Sequence, residues 1–113
     1  MPPRQTTPAL GEFELLVLLA AMGLGKEAYP FSITRDLEER TGRTVSRAAV
    51  LITLERLEDK ELVSSRYGGA TAERGGRQKR YFEVKQRGLT AVQESLDRIH
   101  AMTSRLTGVL KRR

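Results

Sequence analysis

The chain has no cysteine and no tryptophan, and aromatic residues make up only 5% of its 113 positions. The missing cysteines exclude disulfide bonds, thiolate metal sites and thiol catalysis, which suits a reducing compartment. The longest uncharged apolar run, residues 15–24, is too short to cross a bilayer, since a spanning helix takes about 20 residues. The first residues do not have the pattern of an export signal, and we expect a cytoplasmic protein.

Few residues are suited to catalysis or metal binding. His100 is the only histidine, and no cysteine or acidic cluster accompanies it, so a metal site lacks ligands. The glycine spacing fits neither the Walker phosphate loop nor the dinucleotide fingerprint, and a serine-histidine-acid set has no support. The sequence therefore predicts a protein that is not an enzyme and that binds no cofactor or metal.

Positive charge is concentrated in the second half of the chain. The whole sequence has 20 Lys and Arg against 14 Asp and Glu. Residues 1–60 have 8 basic and 9 acidic side chains, whereas residues 61–113 have 12 and 5. This asymmetry predicts an anionic partner, and nucleic acid is a commoner partner of a small basic domain than a membrane surface.

Helix signals dominate the first half. Residues 1–7 hold two prolines and no large apolar residue beyond Met1, which predicts a flexible arm. Thr7 and Pro8 predict the start of a first helix, because a hydroxyl can cap it and proline fits its first position. That helix is expected to run to about Met22 and end in the Gly23-x-Gly25 segment. A second helix is predicted from Phe31 or Ser32 to Thr41-Gly42.

The third helix has the strongest start signal. Ser46 can cap it, and Val45 and Val50 can form a hydrophobic staple across the cap. Val50, Leu54 and Leu57 follow the helical period, so the helix is expected to end near Lys60.

The second half begins with a strand pattern. Residues 62–67 and 79–85 are β-prone and flank a glycine-bounded loop, which predicts a β-hairpin with Tyr81 and Phe82 on opposite faces. From Gln86 onward apolar residues recur at alternating spacings of three and four, which predicts one long amphipathic helix reaching the basic tail at residues 111–113. This stripe could be intramolecular core. It more readily forms a dimer interface, with candidate residues Leu89, Val92, Leu96, Ile99, Thr103, Leu106 and Leu110.

The order of elements is three helices, a hairpin and a long helix, which is a winged helix-turn-helix. The predicted fold is mainly α with a small β-hairpin and a long C-terminal dimerisation helix. The predicted regions are the arm (1–7), the DNA-binding domain (8–85) and the dimerisation helix with its basic tail (86–113).

This fold places two groups of candidate DNA-binding residues together. The start of a capped helix fits the major groove, and a basic hairpin beside it can reach the DNA backbone. The helix candidates are Ser46, Arg47, Ala48, Ile52 and Thr53, although Ser46 could serve as a cap alone. The hairpin candidates are Arg74, Arg77, Lys79 and Arg80, for which a solubilising loop is the alternative. Tyr29 could place its hydroxyl on a phosphate or serve only in the core.

Four segments occur in a characteristic order: 16–20 (LVLLA), 45–63 (VSRAAVLITLERLEDKELV), 73–82 (ERGGRQKRYF) and 87–88 (RG). On these segments, residues 10–92 resemble the PadR-like transcriptional regulators. It implies a homodimeric, usually repressing, DNA-binding regulator whose last helix packs against its partner. In some members a small aromatic compound releases the DNA. The family usually has glycine at the position of Ala48 and tyrosine at that of Leu51, and its drug-stacking members often use tryptophan, which this chain lacks.

The function predicted from these observations is a dimeric repressor of a pseudo-palindromic duplex DNA operator. One alternative is a winged-helix module that binds another protein, with its basic charge serving solubility. The other is a regulator that responds to a small aromatic ligand held between the first and last helices.

Overall fold

A computed structural model describes residues 9–68 and 78–110. Its elements in chain order are α1 (Glu12–Leu24), a 3-10 turn (Gly25–Glu27), α2 (Pro30–Thr41), α3 (Arg47–Asp59), β1 (Val63–Gly68), β2 (Lys79–Val84), α4 (Gln86–Thr103) and a second 3-10 turn (Ser104–Leu106). The predictions for the arm at 1–7, for Arg74 and Arg77, and for the basic tail at 111–113 lie outside the described residues.

Helix α1 begins later than the sequence predicts. Ala9 and Leu10 are not helical, so the expected start at Thr7-Pro8 is wrong. Gly11 is the N-cap instead, and its N–H donates to Glu14 Oε1 at 3.0 Å. The first turn is thus closed by a carboxylate that reaches back to the cap, whereas Thr7 suggests a hydroxyl cap further upstream. At the other end the helix continues through Gly23 and stops before Gly25, whose φ is +59°.

Helices α2 and α3 form the helix-turn-helix close to the predicted bounds. Pro30 occupies the first position of α2, and Gly42, with φ of +73°, closes the helix. Ser46 caps α3 as predicted, because its Oγ accepts the N–H of Ala49 at 3.1 Å. Glu38 steadies the turn between the helices by accepting the N–H of Val45 at 3.0 Å.

The core lies among these three helices and one face of the hairpin. Its fully buried large side chains come from α1, α2, α3, the turn after α3 and the strands: Val17, Leu18, Ile33, Val50, Leu54, Leu57, Leu62, Val63 and Phe82. An ion pair at the edge of this core joins Lys60 Nζ to Glu14 Oε2 at 2.8 Å and so ties the end of α3 to the start of α1. Partial burial acts to raise the pKa of Glu14, but hydrogen bonds from Lys60 and from the Gly11 N–H lower it below its usual value.

The strands form the predicted antiparallel hairpin, paired from Val63 with Val84 to Gly68 with Lys79. Phe82 is 2% exposed and faces the core, while Tyr81 is half-buried on the other face, which confirms the predicted alternation. The Phe82 N–H also donates to the carbonyl of Ala28 at 2.9 Å. Because of this bond, β2 is held between β1 and the segment that leads into α2.

Helix α4 packs against the base of the hairpin through Gly88. A Cβ on Gly88 would lie 2.7 Å from Val84 Cγ1 and inside contact distance of the Leu62 carbonyl oxygen, so the close approach depends on glycine. None of the helices in the described ranges is long and apolar enough to span a membrane.

The sequence predicts that the last helix continues to the basic tail at residues 111–113, which is wrong, because α4 ends at Thr103. Thr103 Oγ1 donates to the carbonyl of His100 at 3.3 Å, and Ser104 Oγ donates to that of Ala101 at 3.1 Å. Hydroxyl side chains of this kind compete with the helical backbone, and Gly108 follows shortly after them. The apolar spacing of three and four continues past this point into the 3-10 turn, where no α-helix supports it.

Candidate nucleic-acid interface

The start of α3 projects from the protein. Ser46, Arg47 and Ala48 are all exposed, in the first turn of the helix that follows the turn of the helix-turn-helix. The Ser46 hydroxyl caps the helix while remaining at the surface. The structure therefore places these three predicted residues together on one exposed tip, with small side chains on both sides of a single arginine.

The next turn of α3 agrees with the sequence at one position and differs at another. Ile52 is 52% exposed, on the side away from the core, as predicted. Thr53 is 6% exposed, so its expected place beside Ile52 on the outer face is wrong. Thr53 lies three residues after Val50 and four before Leu57, a spacing that puts it on the buried stripe of the helix.

An exposed aromatic ring supports Arg47. Phe31, in the first turn of α2, is 43% exposed. The guanidinium of Arg47 lies 5.5 Å from the centre of this ring, and that of Arg35 lies 5.7 Å from it. Phe31 is not among the site residues predicted from the sequence. The available signal was a large apolar residue directly after the proline that opens α2, at a position outside the buried stripe formed by Ile33 and Leu37.

The aromatic surface continues to the hairpin. The rings of Phe31 and Tyr29 are stacked with their centres 6.4 Å apart, and Tyr81 meets the edge of Tyr29 at 5.5 Å. Lys79 Nζ lies 4.5 Å from the centre of the Tyr29 ring and donates to its hydroxyl at 3.5 Å. Tyr29 is half-buried, so its ring packs while its hydroxyl reaches the surface beside a cation.

Between these elements lies an open groove of about 990 Å³, which we call the recognition groove. Its walls are the start of α2, the outer face of α3 and the outer end of the hairpin. Its lining includes Tyr29, Phe31, Arg47, Ala48, Glu55, Lys79 and Arg80. Leu51, at the position where the sequence resemblance leads one to expect tyrosine, also lines it.

Solved structures share this arrangement of elements. A PadR-like transcription factor from Bacteroides fragilis matches with a TM-score of 0.69 at 21% identity, over 87% of this chain and 89% of that chain. A PadR family regulator from Clostridium difficile R20291 also reaches 0.69, at 19% identity over 89% and 100% of the two chains. A PadR family regulator from Eggerthella lenta gives 0.66 at 20% identity over 90% and 88%. The chain has the PadR-like fold.

The predicted winged helix-turn-helix is therefore confirmed, and so is the likeness to PadR-like proteins at the level of the fold. No protein-family model and no curated protein matches the sequence. The likeness thus lies in how the chain folds, and it extends over nearly the whole length of each of these PadR-like structures.

Arg80 differs in its surroundings from Lys79, the other predicted hairpin cation among the described residues of this PadR-like fold. Its NH1 donates to Glu55 Oε2 at 3.1 Å, its NH2 to Glu58 Oε1 at 2.7 Å and its Nε to Ser65 Oγ at 3.2 Å. Burial alone would lower the pKa of Arg80, but the hydrogen bonds to Glu55 and Glu58 outweigh it and raise that pKa. Arg80, predicted to contact DNA, thus lines the recognition groove with each of its three nitrogens bonded to a neighbouring side chain.

The second predicted surface is the apolar stripe of α4. Most of its predicted members are exposed in the single chain, with exposed fractions of 38% at Leu89, 39% at Leu96, 50% at Ile99, 37% at Leu106 and 50% at Leu110. Thr103 is half-buried, and Met102 adds a side chain that is 76% exposed. Val92 is 2% exposed and belongs to the core of its own chain, so its expected place on the free stripe is wrong.

Metal binding has no candidate within residues 9–68 and 78–110. No three His, Cys, Asp or Glu side chains there are grouped so that they could hold an ion. His100, the only histidine, is exposed on α4.

Proposed function

We propose that this protein is a dimeric transcriptional regulator that binds a specific duplex DNA sequence and represses transcription there. The observation that carries the proposal is the exposed, capped start of α3, where Arg47 stands between small side chains at the edge of a groove lined with cations and aromatic rings. The PadR-like fold supports it, because the matching solved structures are named as transcription factors and regulators.

The start of α3 fits the major groove of B-DNA. In helix-turn-helix proteins the first residues of the second helix meet base edges. Ser46 and Ala48 are small enough for the helix to approach closely, and Arg47 can donate two hydrogen bonds to the O6 and N7 atoms of a guanine. Ile52, exposed one turn later, is placed to contact a thymine methyl group.

The other side of the recognition groove suits the phosphate backbone. Tyr29 presents a hydroxyl next to the Lys79 ammonium, and the two together can hold one phosphate. Contacts of this kind fix the register of a protein on DNA without reading its sequence. We propose phosphate contacts for Arg74 and Arg77 as well, on the basis of their charge and their position in the sequence alone.

The stripe on α4 supports a dimer. Leu89, Leu96 and Ile99 expose apolar surface along one side of the helix, and the stripe continues through Met102 and Leu106. We assign a second copy of the chain as the partner, because a two-fold pair buries the same stripe on both protomers. Such a pair carries two α3 helices, and the reading of two half-sites about 34 Å apart then requires a pseudo-palindromic operator.

Salt-dependent duplex binding tests the DNA part of the proposal. We expect the protein to bind random-sequence duplex at low salt. The logarithm of its binding constant should fall linearly with the logarithm of the salt concentration, with a slope of about −0.9 for each phosphate contacted. The single strand of the same sequence serves as the control and should bind more weakly. No binding of duplex at micromolar protein would overturn the proposal and favour the protein-interaction alternative.

Sedimentation of a charge variant tests the dimer. Ile99→Glu places a carboxylate in the middle of the stripe and should shift the protein from dimer to monomer at micromolar concentration. Ala101→Glu is the matched control, because Ala101 is exposed on the same helix, away from the stripe. A wild-type monomer, or an Ile99→Glu protein that remains dimeric, would contradict the assignment.

A further inference from the structure

Arg80 lies at the centre of a network that joins three elements. It extends from β2 to Glu55 and Glu58 on α3 and to Ser65 on β1, at distances of 2.7 to 3.2 Å. Ser65 closes the network by donating to the second oxygen of Glu58 at 2.8 Å. The guanidinium also lies 5.0 Å from the centre of the Phe82 ring, which is buried core.

The geometry of this network suits arginine and no other residue. The planar guanidinium presents several donors in a fixed fork, so it can bridge two carboxylates and a hydroxyl at once. A lysine has the same charge but cannot span the three acceptors from one position. The Arg80 side chain is 24% exposed and the Glu58 side chain 32%, so the pair is partly shielded from solvent, which strengthens it relative to a surface ion pair.

The network also affects the charge of the proposed DNA-facing surface. Glu55 lines the recognition groove with its side chain half exposed, and Glu58 lies one turn further along α3. Two uncompensated carboxylates at that place would repel a polyanion. Arg80 lies between them and offsets part of their charge.

Arg80 also determines where its neighbour points. Successive side chains on a strand point to opposite sides, so Arg80 contacts α3 while Lys79 points to the other face of the hairpin, and both line the recognition groove. Lys79 meets the Tyr29 hydroxyl on that face, at the edge proposed for phosphate contact. A hairpin that turned or moved away from α3 would displace this cation as well.

We propose that Arg80 is a positioning residue that holds the hairpin against α3, so that Lys79 and Arg47 engage one duplex together, rather than a residue that binds DNA itself. This inference rests on the proposed function. It replaces the direct DNA contact predicted for Arg80 from its place in a basic segment.

The first test separates the hydrogen-bonding geometry of Arg80 from its charge. Arg80→Lys keeps the charge but loses the bridge, so we expect duplex affinity to fall by about tenfold, since hydrogen bonds to charged groups are the strong ones. The salt slope should stay unchanged because no phosphate contact is removed. Arg87→Lys, at an exposed arginine in the first turn of α4 outside the recognition groove, is the matched control and should keep wild-type affinity. An Arg80→Lys protein that binds like the wild type would overturn the proposal.

The second test reverses the pair. Arg80→Glu should weaken duplex binding and increase amide hydrogen exchange in the hairpin, and adding Glu58→Arg should restore both by re-forming the ion pair. Arg80→Glu with Glu83→Arg has the same net charge but no partner for the new carboxylate, because Glu83 is exposed on the opposite face. Equal recovery in both double variants, or none in the reversed pair, would contradict a positioning role.

Hydrogen exchange keeps this test independent of the proposed function. If the wild-type protein fails to bind duplex, the proposed function is overturned, yet faster hairpin exchange in Arg80→Lys still supports the structural role of the network. If the wild type binds duplex while hairpin exchange is the same in wild type and Arg80→Lys, the inference about Arg80 fails and the proposed function stands.

Discussion

Replacing Arg47 should reduce sequence discrimination more than it reduces DNA binding as a whole. Arg47 is exposed at the start of α3, so Arg47→Ala removes no core contact, and we expect the free energy of unfolding to change by less than about 0.5 kcal/mol. A bidentate contact to a base contributes about 1–3 kcal/mol of discrimination. The preference for the operator over a scrambled duplex should therefore fall by roughly five- to 150-fold.

The Phe31 ring, which contacts Arg47, should make a second and smaller contribution to sequence discrimination. Phe31 lies 5.5 Å from the guanidinium, and an exposed cation–π contact contributes about 0.5–1 kcal/mol. Phe31→Leu should therefore lower discrimination by roughly two- to fivefold in the wild-type background. It should have almost no effect once Arg47 is alanine, because the ring acts through the arginine.

Fluorescence anisotropy on operator and scrambled duplexes at one salt concentration measures both effects. Arg40→Ala is the matched control, since Arg40 is an exposed arginine near the far end of α2, and it should leave discrimination unchanged. Equal loss on both duplexes would reduce Arg47 to a phosphate contact. Additive losses in the Arg47 and Phe31 double variant would refute the role of the ring.

Three further predictions concern the hairpin, the packing of α4 and the response to pH. Lys79→Ala should weaken binding to every duplex and flatten the salt slope by about 0.9, and titrations with an unchanged slope would remove it from the phosphate contacts. Gly88→Ala should lower the free energy of unfolding by about 1–3 kcal/mol, because its Cβ would meet the Leu62 carbonyl. Urea denaturation measures this change, and a variant as stable as the wild type would contradict the close packing at Gly88. The pKa of Glu14 is lowered by folding, so stability should be lost as pH falls from about 4.3 through the lower folded value. The Glu14→Gln protein should lose less stability over that pH interval than the wild type. Parallel curves of unfolding free energy against pH for the two proteins would contradict this role of Glu14.

The features that the sequence predicts correctly depend on residues that lie close together in the chain. The start of α3 was predictable because Ser46 forms its cap with a neighbour three residues away. The close of α2 was predictable because Gly42 takes the left-handed conformation that the residue type favours. The faces of the hairpin followed from alternation, which needs only the strand itself.

The features that could not be predicted depend on contacts between residues that lie far apart in the chain. The partners of Arg80 on α3 lie 22 and 25 positions earlier, so their pairing emerges only when β2 lies beside that helix. Thr53 is small and polar, so the periodicity of large apolar residues does not indicate that it belongs to the buried stripe. Val92 was assigned to the dimer because periodicity alone cannot tell a seam between two chains from a core within one.

Selection of bound duplexes from a random pool tests the central claim most directly, because it reports sequence preference, symmetry and spacing together. The wild-type protein should enrich one motif made of two inverted half-sites whose centres are about one helical turn apart. It should bind that motif at least about 1,000-fold more tightly than random duplex. A pool that remains random after repeated rounds, or a motif with a single half-site and no symmetry, would contradict a dimer that reads DNA through paired α3 helices.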